Sequence, residues 1–425
     1  MMPAGADSSA GVGVVADDLT GAADTAVHFL RPGEEILLVS LADEASGVTR
    51  GRAGLAVDTG TRGSSPAETV VRLQSAAGLI RRINPALVYK KVDSQLRGRP
   101  GLEIETLRRE LGLRCALVAP AHPEQDRVTR GGVHFVHGVP VADGEPGGDP
   151  VAPVTESRLP VLIAGQAGVR VAHVALAELE GGPDVLYRRI EGLVAEGSKA
   201  ITFDAVSPRH LALIAEVASR RFPDALLAGS AGLATALAAF RRTGTAMSSA
   251  ASPPCASMLF VCGSTALALR RQAALLVASG RCHVVTMTAP SVAVGPCRDE
   301  MKRAAVEAWG GNDLVLQTPE DRLDAGVFAP STILAGLADL AMLLVARRRP
   351  DGMLLSGGDT ATAVLGAAGV AAIRLRGEAI PGVAWGVAVG GLLDGVTMLT
   401  RSGAFGGNED LVELHRRCRE GATHE

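Results

Sequence analysis

Short apolar runs recur along this chain. Each stops at a charged or glycine-rich turn and leads straight into apolar residues at helical spacing, and this constrains the fold more than any other feature. The first runs Val12-Gly13-Val14-Val15-Ala16, turns at Asp17-Asp18, and continues as Leu19-Thr20-Gly21-Ala22-Ala23. A strand followed at once by a helix is one βα unit, and repeated βα units build a parallel sheet flanked by helices. Such sheets bind ligands beyond the carboxyl ends of their strands, where Asp17 and Asp18 fall. Alternation along an extended chain would aim the two carboxylates at opposite faces and give them different tasks. An Asp ahead of Thr-Gly-Ala is equally what a helix amino terminus wants.

With 425 residues the chain exceeds one ordinary core, so two domains are expected. The reading is 1–245 for the first, a linker at 246–256 rich in Ser, Ala and Pro, and 257–425 for the second. Each should be an α/β domain with a largely parallel sheet. Hydrophobic content of 47% excludes a disordered chain. No apolar run approaches the roughly 18 residues that cross a bilayer. Residues 1–10 carry neither a basic residue nor an apolar core of a secretory signal and read as a frayed leader. The six cysteines form no Cys-x-x-Cys pair, which points away from a zinc or disulfide framework and toward a reducing cytoplasm. His134 and His137, three apart in a strand-like run, should face opposite ways, so no metal site is expected. A net charge of −3 and 3% aromatics give no polyanion coat and no base-stacking platform, so no nucleic-acid partner and no membrane are expected.

Candidate binding residues concentrate at the turns. Gly54 to Asp58 reads as a strand, with Asp58 at its end and Arg62 in the loop beyond. Leu87 to Lys91 is another, and its turn carries Lys91, Asp93, Ser94 and Arg97 within seven residues. An arginine can fork onto a carboxylate while Asp and Ser pair with hydroxyls, so this cluster suits a polyhydroxy acid. Gly229-Ser230-Ala231-Gly232 closes the last strand of this half. It could offer backbone amides to an anion, or simply pack closely. In the second half, Ser264 follows a strand, Gly357-Gly358-Asp359-Thr360 a second, Gly382 lies in a loop over Glu378 to Gly386, and Arg401, Gly403 and Gly406 close a third. There is no Gly-x-x-x-x-Gly-Lys-Ser/Thr sequence, so a P-loop enzyme is excluded. Several glycine turns at strand ends can still cradle phosphates with backbone amides.

Taken in order, Ala16 to Ala22, Asp58 to Arg62, Lys91 to Arg99, Gly229 to Gly232 and the second-half glycine turns resemble the four-carbon acid sugar kinases. That family phosphorylates threonate, erythronate or 3-oxo-tetronate with ATP. Gln95, Arg99, His122 and Arg401 depart from its pattern. The resemblance implies a terminal hydroxyl as acceptor, an acid-sugar domain followed by a nucleotide-binding domain, and an active site in the inter-domain cleft. It gives Asp17, Asp18, Lys91 and Asp93 catalytic positions, with Asp58, Arg62, Ser94, Arg97, Gly229 and Ser230 on the substrate. ATP, carrying Mg²⁺, would meet Ser264, Gly357, Gly358, Asp359, Thr360, Gly382, Arg401, Gly403 and Gly406. A homodimer is the one protein assembly considered. The competing readings are a non-catalytic sugar-acid sensor and an isomerase or aldolase using Lys91 as a Schiff base.

Overall fold

A computed structural model describes residues 11–31, 34–41, 54–241, 255–264, 266–288, 296–318, 329–403 and 405–421. Residues 1–10, read as a leader, and residues 246–254 of the linker read at 246–256 lie outside them. The chain divides into two compact units, one of Met1–Ile36 with Thr49–Ala246 and one of Leu37–Val48 with Met247–Glu425. Residues 37–41 therefore group with the second unit, although the sequence reading places them in the first domain.

The strands of the first half are β1 (Val12–Ala16), β2 (Ile36–Ser40), β3 (Gly54–Asp58), β4 (Leu87–Lys91), β5 (Cys115–Ala119), β6 (Arg127–Arg130), β7 (Val133–Val136), β8 (Val139–Pro140), β9 (Val171–Val174), β10 (Ala200–Phe203) and β11 (Ala225–Gly229). Seven of them form the first unit's sheet in the order β3-β1-β4-β11-β5-β10-β9. Every pairing is parallel. Parallel neighbours need crossover connections, and helices such as Pro66–Ile83 and Pro208–Arg221 provide them. All five residues of β1, β3, β5 and β11 are buried, as expected for strands covered on both faces. Register sets Ala16 beside Asp58 and Gly229 beside Lys91. The carboxyl ends of β3, β1, β4 and β11 thus share one edge. A separate antiparallel sheet, β6-β7-β8, carries the segment after β5.

In the second unit the strands are β12 (Met258–Cys262), β13 (Cys282–Thr286), β14 (Asp313–Gln317), β15 (Gly352–Ser356), β16 (Ala372–Ile380), β17 (Val383–Val389) and β18 (Thr397–Arg401). Their order is β13-β14-β12-β15-β18-β17-β16, with β2 beside β16. The first five are parallel and β17 is antiparallel to both neighbours. Phe260, Val315, Leu354 and Leu399 centre the core against Leu411 and Leu414 of the helix Asp410–Gly421.

The sequence reading of Glu378 to Gly386 as a loop needs correction. Glu378 to Ile380 complete β16, and Pro381-Gly382 form a hairpin turn with Gly382 at φ +78. Two register shifts break the alternation of β16 and hide it as a strand. Pro then Gly at the two central positions marks a turn between strands as readily as a longer loop.

Candidate functional site

Asp17 and Asp18 do not part to opposite faces. β1 ends at Ala16, so strand alternation no longer governs them, and both carboxylates close on Arg62. Arg62 Nε lies 2.7 Å from Asp17 Oδ2 and Nη2 lies 3.0 Å from Asp18 Oδ1. Asp18 is also the helix cap, accepting the Gly21 N–H at 3.1 Å and the Thr20 hydroxyl at 2.8 Å. Burial pushes the Asp18 carboxyl up, but the Arg62 guanidinium and the Lys91 ammonium outweigh it and hold the group below its usual range. A carboxylate held so low is a hydrogen-bond acceptor for a hydroxyl rather than a strong base. Asp58 is buried and accepts the Gly60 N–H at 2.8 Å.

The adjacent lysines of β4 separate by strand alternation. Lys90 is buried against Glu103 at 2.7 Å and donates to the Lys91 carbonyl at 2.6 Å, while the Thr61 hydroxyl donates to Glu103 at 2.9 Å. Lys91 points the other way, near Gly21 and into the field of Asp18 and Asp93. Among the described residues no carboxylate comes within ion-pair distance of its ammonium. Asp93 holds the Arg97 Nε at 2.6 Å and also accepts the Arg97 N–H at 3.3 Å, and Arg97 reaches Asp149 at 3.5 Å. Burial raises the Asp93 carboxyl, yet Arg97 and then Arg62 pull it well below the usual range. Asp17, Asp18, Arg62, Lys91, Asp93, Ser94 and Arg97 are therefore one cluster at the carboxyl edge of β1 and β4.

The structure adds Arg127, which sequence reasoning did not single out, and brings His134 to the same cluster. Arg127, at the start of β6, is buried and donates to the Ser94 hydroxyl. His134 Nε2 lies 2.8 Å from the Ser94 carbonyl, an acceptor only, so Nε2 carries the proton and Nδ1 accepts from the Thr129 hydroxyl at 3.0 Å. His137 by contrast is 68% exposed and joins nothing here. The one signal for Arg127 was its nearness in sequence to the His122 turn. Gly229 and Ser230 serve packing. A Cβ at Gly229 would stand 2.4 Å from the Ala119 carbonyl, and the Ser230 hydroxyl donates to Ala121 at 2.7 Å.

His122 and His134 make the fold acid-sensitive. Burial, aided at His122 by Arg127, lowers both from 6.5 to about 4. Both are neutral folded and unfolded above pH 6.5. As pH falls below that, only the unfolded chain takes up the protons, so stability is lost until about pH 4. We expect unfolding free energy to fall by up to about 3 kcal/mol per histidine across that window. Denaturant titrations at pH 7.5, 6, 5 and 4.5 check this, and a flat profile to pH 5 would contradict it.

In the second unit the turns after β12, β15 and β18 meet. A Cβ at Gly263 would stand 2.1 Å from Thr360 Oγ1, and one at Gly403 would stand 2.2 Å from Ser264 Oγ. Gly357, at φ +106, precedes the helix Gly358–Ala367, whose amino terminus has no side-chain cap. A helix amino terminus without a side-chain cap is a place where an anion can be met. Arg401, the last residue of β18, is buried with Nη1 lacking a partner, while Nη2 donates to the Phe405 carbonyl. A Cβ at Gly382 would stand 3.9 Å from the Phe405 ring of this loop. Asp359 is exposed on the helix's first turn.

These two sites fall within two recognised domains. Residues 12–237 match a sugar-binding N-terminal domain and residues 259–411 a nucleotide-binding C-terminal domain. A D-threonate kinase of Bordetella bronchiseptica is 34% identical over 96% of this chain and 98% of its own. A D-threonate kinase of Salmonella typhimurium is 29% identical over 94% and 96%. A D-erythronate kinase of Heliobacterium modesticaldum is 26% identical over 93% and 94%. A solved structure of a Salmonella typhimurium LT2 protein shares the fold at a TM-score of 0.78 and 22% identity, covering 95% of this chain and 98% of its own. Among the described residues no helix is long and apolar enough to cross a membrane. With both domains matched in order and relatives aligned over nearly its whole length, the chain belongs to the four-carbon acid sugar kinase family.

Proposed function

We propose that this protein transfers the γ-phosphoryl group of ATP to a terminal hydroxyl of a four-carbon sugar acid, with D-threonate the first candidate. The observation that carries the proposal is the Lys91 ammonium, buried beside Asp18 and Asp93 yet paired with neither at contact distance. A small anion with hydroxyls matches that surrounding: Lys91 and Arg97 hold its carboxylate or the transferring group, and Asp17 and Asp18 orient the hydroxyl by accepting its proton in a hydrogen bond. D-threonate is favoured because relatives named for it align at 29% and 34% identity, against 26% for the D-erythronate kinase.

ATP fits the second unit on two counts. Arg401 Nη1 is buried without an acceptor, and the helix at Gly358 begins after Gly357 with no side-chain cap in the way of an anion. Ser264, Gly357, Gly358, Thr360, Arg401, Gly403 and Gly406 would hold the phosphates, with Gly382 flanking them and Asp359 meeting Mg²⁺ or ribose. Mg²⁺ carried by ATP would neutralise phosphate charge as it develops.

The test measures ADP release from ATP with D-threonate, D-erythronate and 3-oxo-tetronate in turn. D-threonate should give the highest kcat/KM, and no acid-dependent ADP from any of the three would end the proposal. Gly403→Ala should abolish turnover and the ATP-induced rise in melting temperature, since its methyl would displace Ser264. A sensor would bind the acid without turnover. An isomerase or aldolase using Lys91 would be trapped as an imine by borohydride, and none is expected.

A further inference from the structure

At the opposite edge of the second unit's sheet, three side chains of metal-ligand type converge. Cys282 opens β13, Asp313 opens β14, and His415 comes from the helix Asp410–Gly421. Their sulfur, oxygen and nitrogen ligand atoms all lie within 4.8 Å of one another, and all three residues are buried. His415 Nε2 lies 2.6 Å from Asp313 Oδ2, and Asp313 Oδ1 accepts the Met258 N–H at 2.8 Å. His415 is 4% exposed, and its Nδ1 is buried with no hydrogen-bond partner. An unmet buried ring nitrogen is costly, so something beyond the Asp313 contact is called for.

We propose that Cys282, Asp313 and His415 bind a divalent cation of the zinc class. A thiolate, an imidazole and a carboxylate together suit Zn²⁺ or Co²⁺, and not Mg²⁺ or Ca²⁺, which prefer oxygen alone. Burial holds the Cys282 thiol up at about 12. Binding therefore replaces the S–H bond by an S–metal bond and releases one proton to solvent per cysteine engaged. Arg419, 4.0 Å from Asp313 Oδ2, opposes the cation, but its side chain is 45% exposed and can turn outward. A buried Asp–His pair alone would explain the 2.6 Å contact. It does not explain a thiol at the same point or the unmet Nδ1. The strand starts lie away from the glycine turns, so the ion would tie the last helix to the sheet and take no part in phosphoryl transfer.

The experiment titrates Co²⁺ into chelator-treated full-length Cys297→Ser protein, which lacks the exposed thiol. We expect one equivalent to produce near-ultraviolet thiolate-to-cobalt absorption, and Zn²⁺ to displace it and raise the melting temperature. Adding Cys282→Ser should remove the band, and His415→Gln should weaken binding by at least about tenfold. No thiolate band in the folded parent, or an undiminished band in both variants, overturns the proposal. Because both readouts are independent of turnover, they stand apart from the kinase assay.

Discussion

Lys91→Met should lower kcat with D-threonate and ATP by roughly 10²- to 10³-fold, the usual effect of removing one preorganised charge from a transition state. Asp18 and Asp93 keep their own arginines, Arg62 and Arg97, after the substitution. The site therefore stays folded and loses only the cation that has no partner at contact distance. Methionine retains most of the buried stem, so the melting temperature should move by no more than a few degrees. ATP should still stabilise the variant, because its cradle belongs to the other unit. Arg97→Met gives the contrast: Arg97 is tied to Asp93 and Asp149, so its loss should fall mainly on KM for the acid. A Lys91→Met enzyme that turns over within about threefold of the parent would remove Lys91 from the reaction.

The neighbouring lysine predicts the opposite phenotype. Lys90 and Glu103 form an ion pair with side chains only 1% and 2% exposed. Lys90→Met strands the Glu103 carboxylate in the core and should destabilise the protein by about 3–5 kcal/mol. For a unit of this size that is a fall in melting temperature of roughly 6–20 °C. Burial already raises the Glu103 carboxyl, with Lys90 opposing it. Without Lys90 it should rise further and be protonated in the folded state. A folded value above the unfolded one stabilises at low pH and loses that effect as pH rises. The variant should therefore suffer more at pH 8 than at pH 5.5. Lys90→Met with Glu103→Gln should recover much of the loss, and no recovery would mean that the pair is not the origin of the effect.

The two lysines also mark how far the sequence reaches. Strand alternation says that Lys90 and Lys91 face opposite ways, but only Glu103, thirteen positions downstream on the helix Pro100–Glu110, decides which of them is taken up by the core. The same limit holds for the opening carboxylates. Their position at a strand end was legible, whereas their convergence on Arg62 depended on β1 stopping at Ala16. The hairpin at Gly382 was missed because two register shifts in β16 erased its period, and local pattern is all a sequence displays.

The chain by itself determined the βα repeat, the two-part organisation, the charged turns and the glycine turns. Each of these rests on spacing within a few residues, where backbone geometry alone sets which side chains are neighbours. The tertiary structure decided which residues meet across long separations: Ser94 with Arg127 and His134, residues 37–41 with the second unit, and Cys282 with Asp313 and His415. Those contacts follow from the order of strands in a sheet, which is set by burial over the whole core and leaves no local mark.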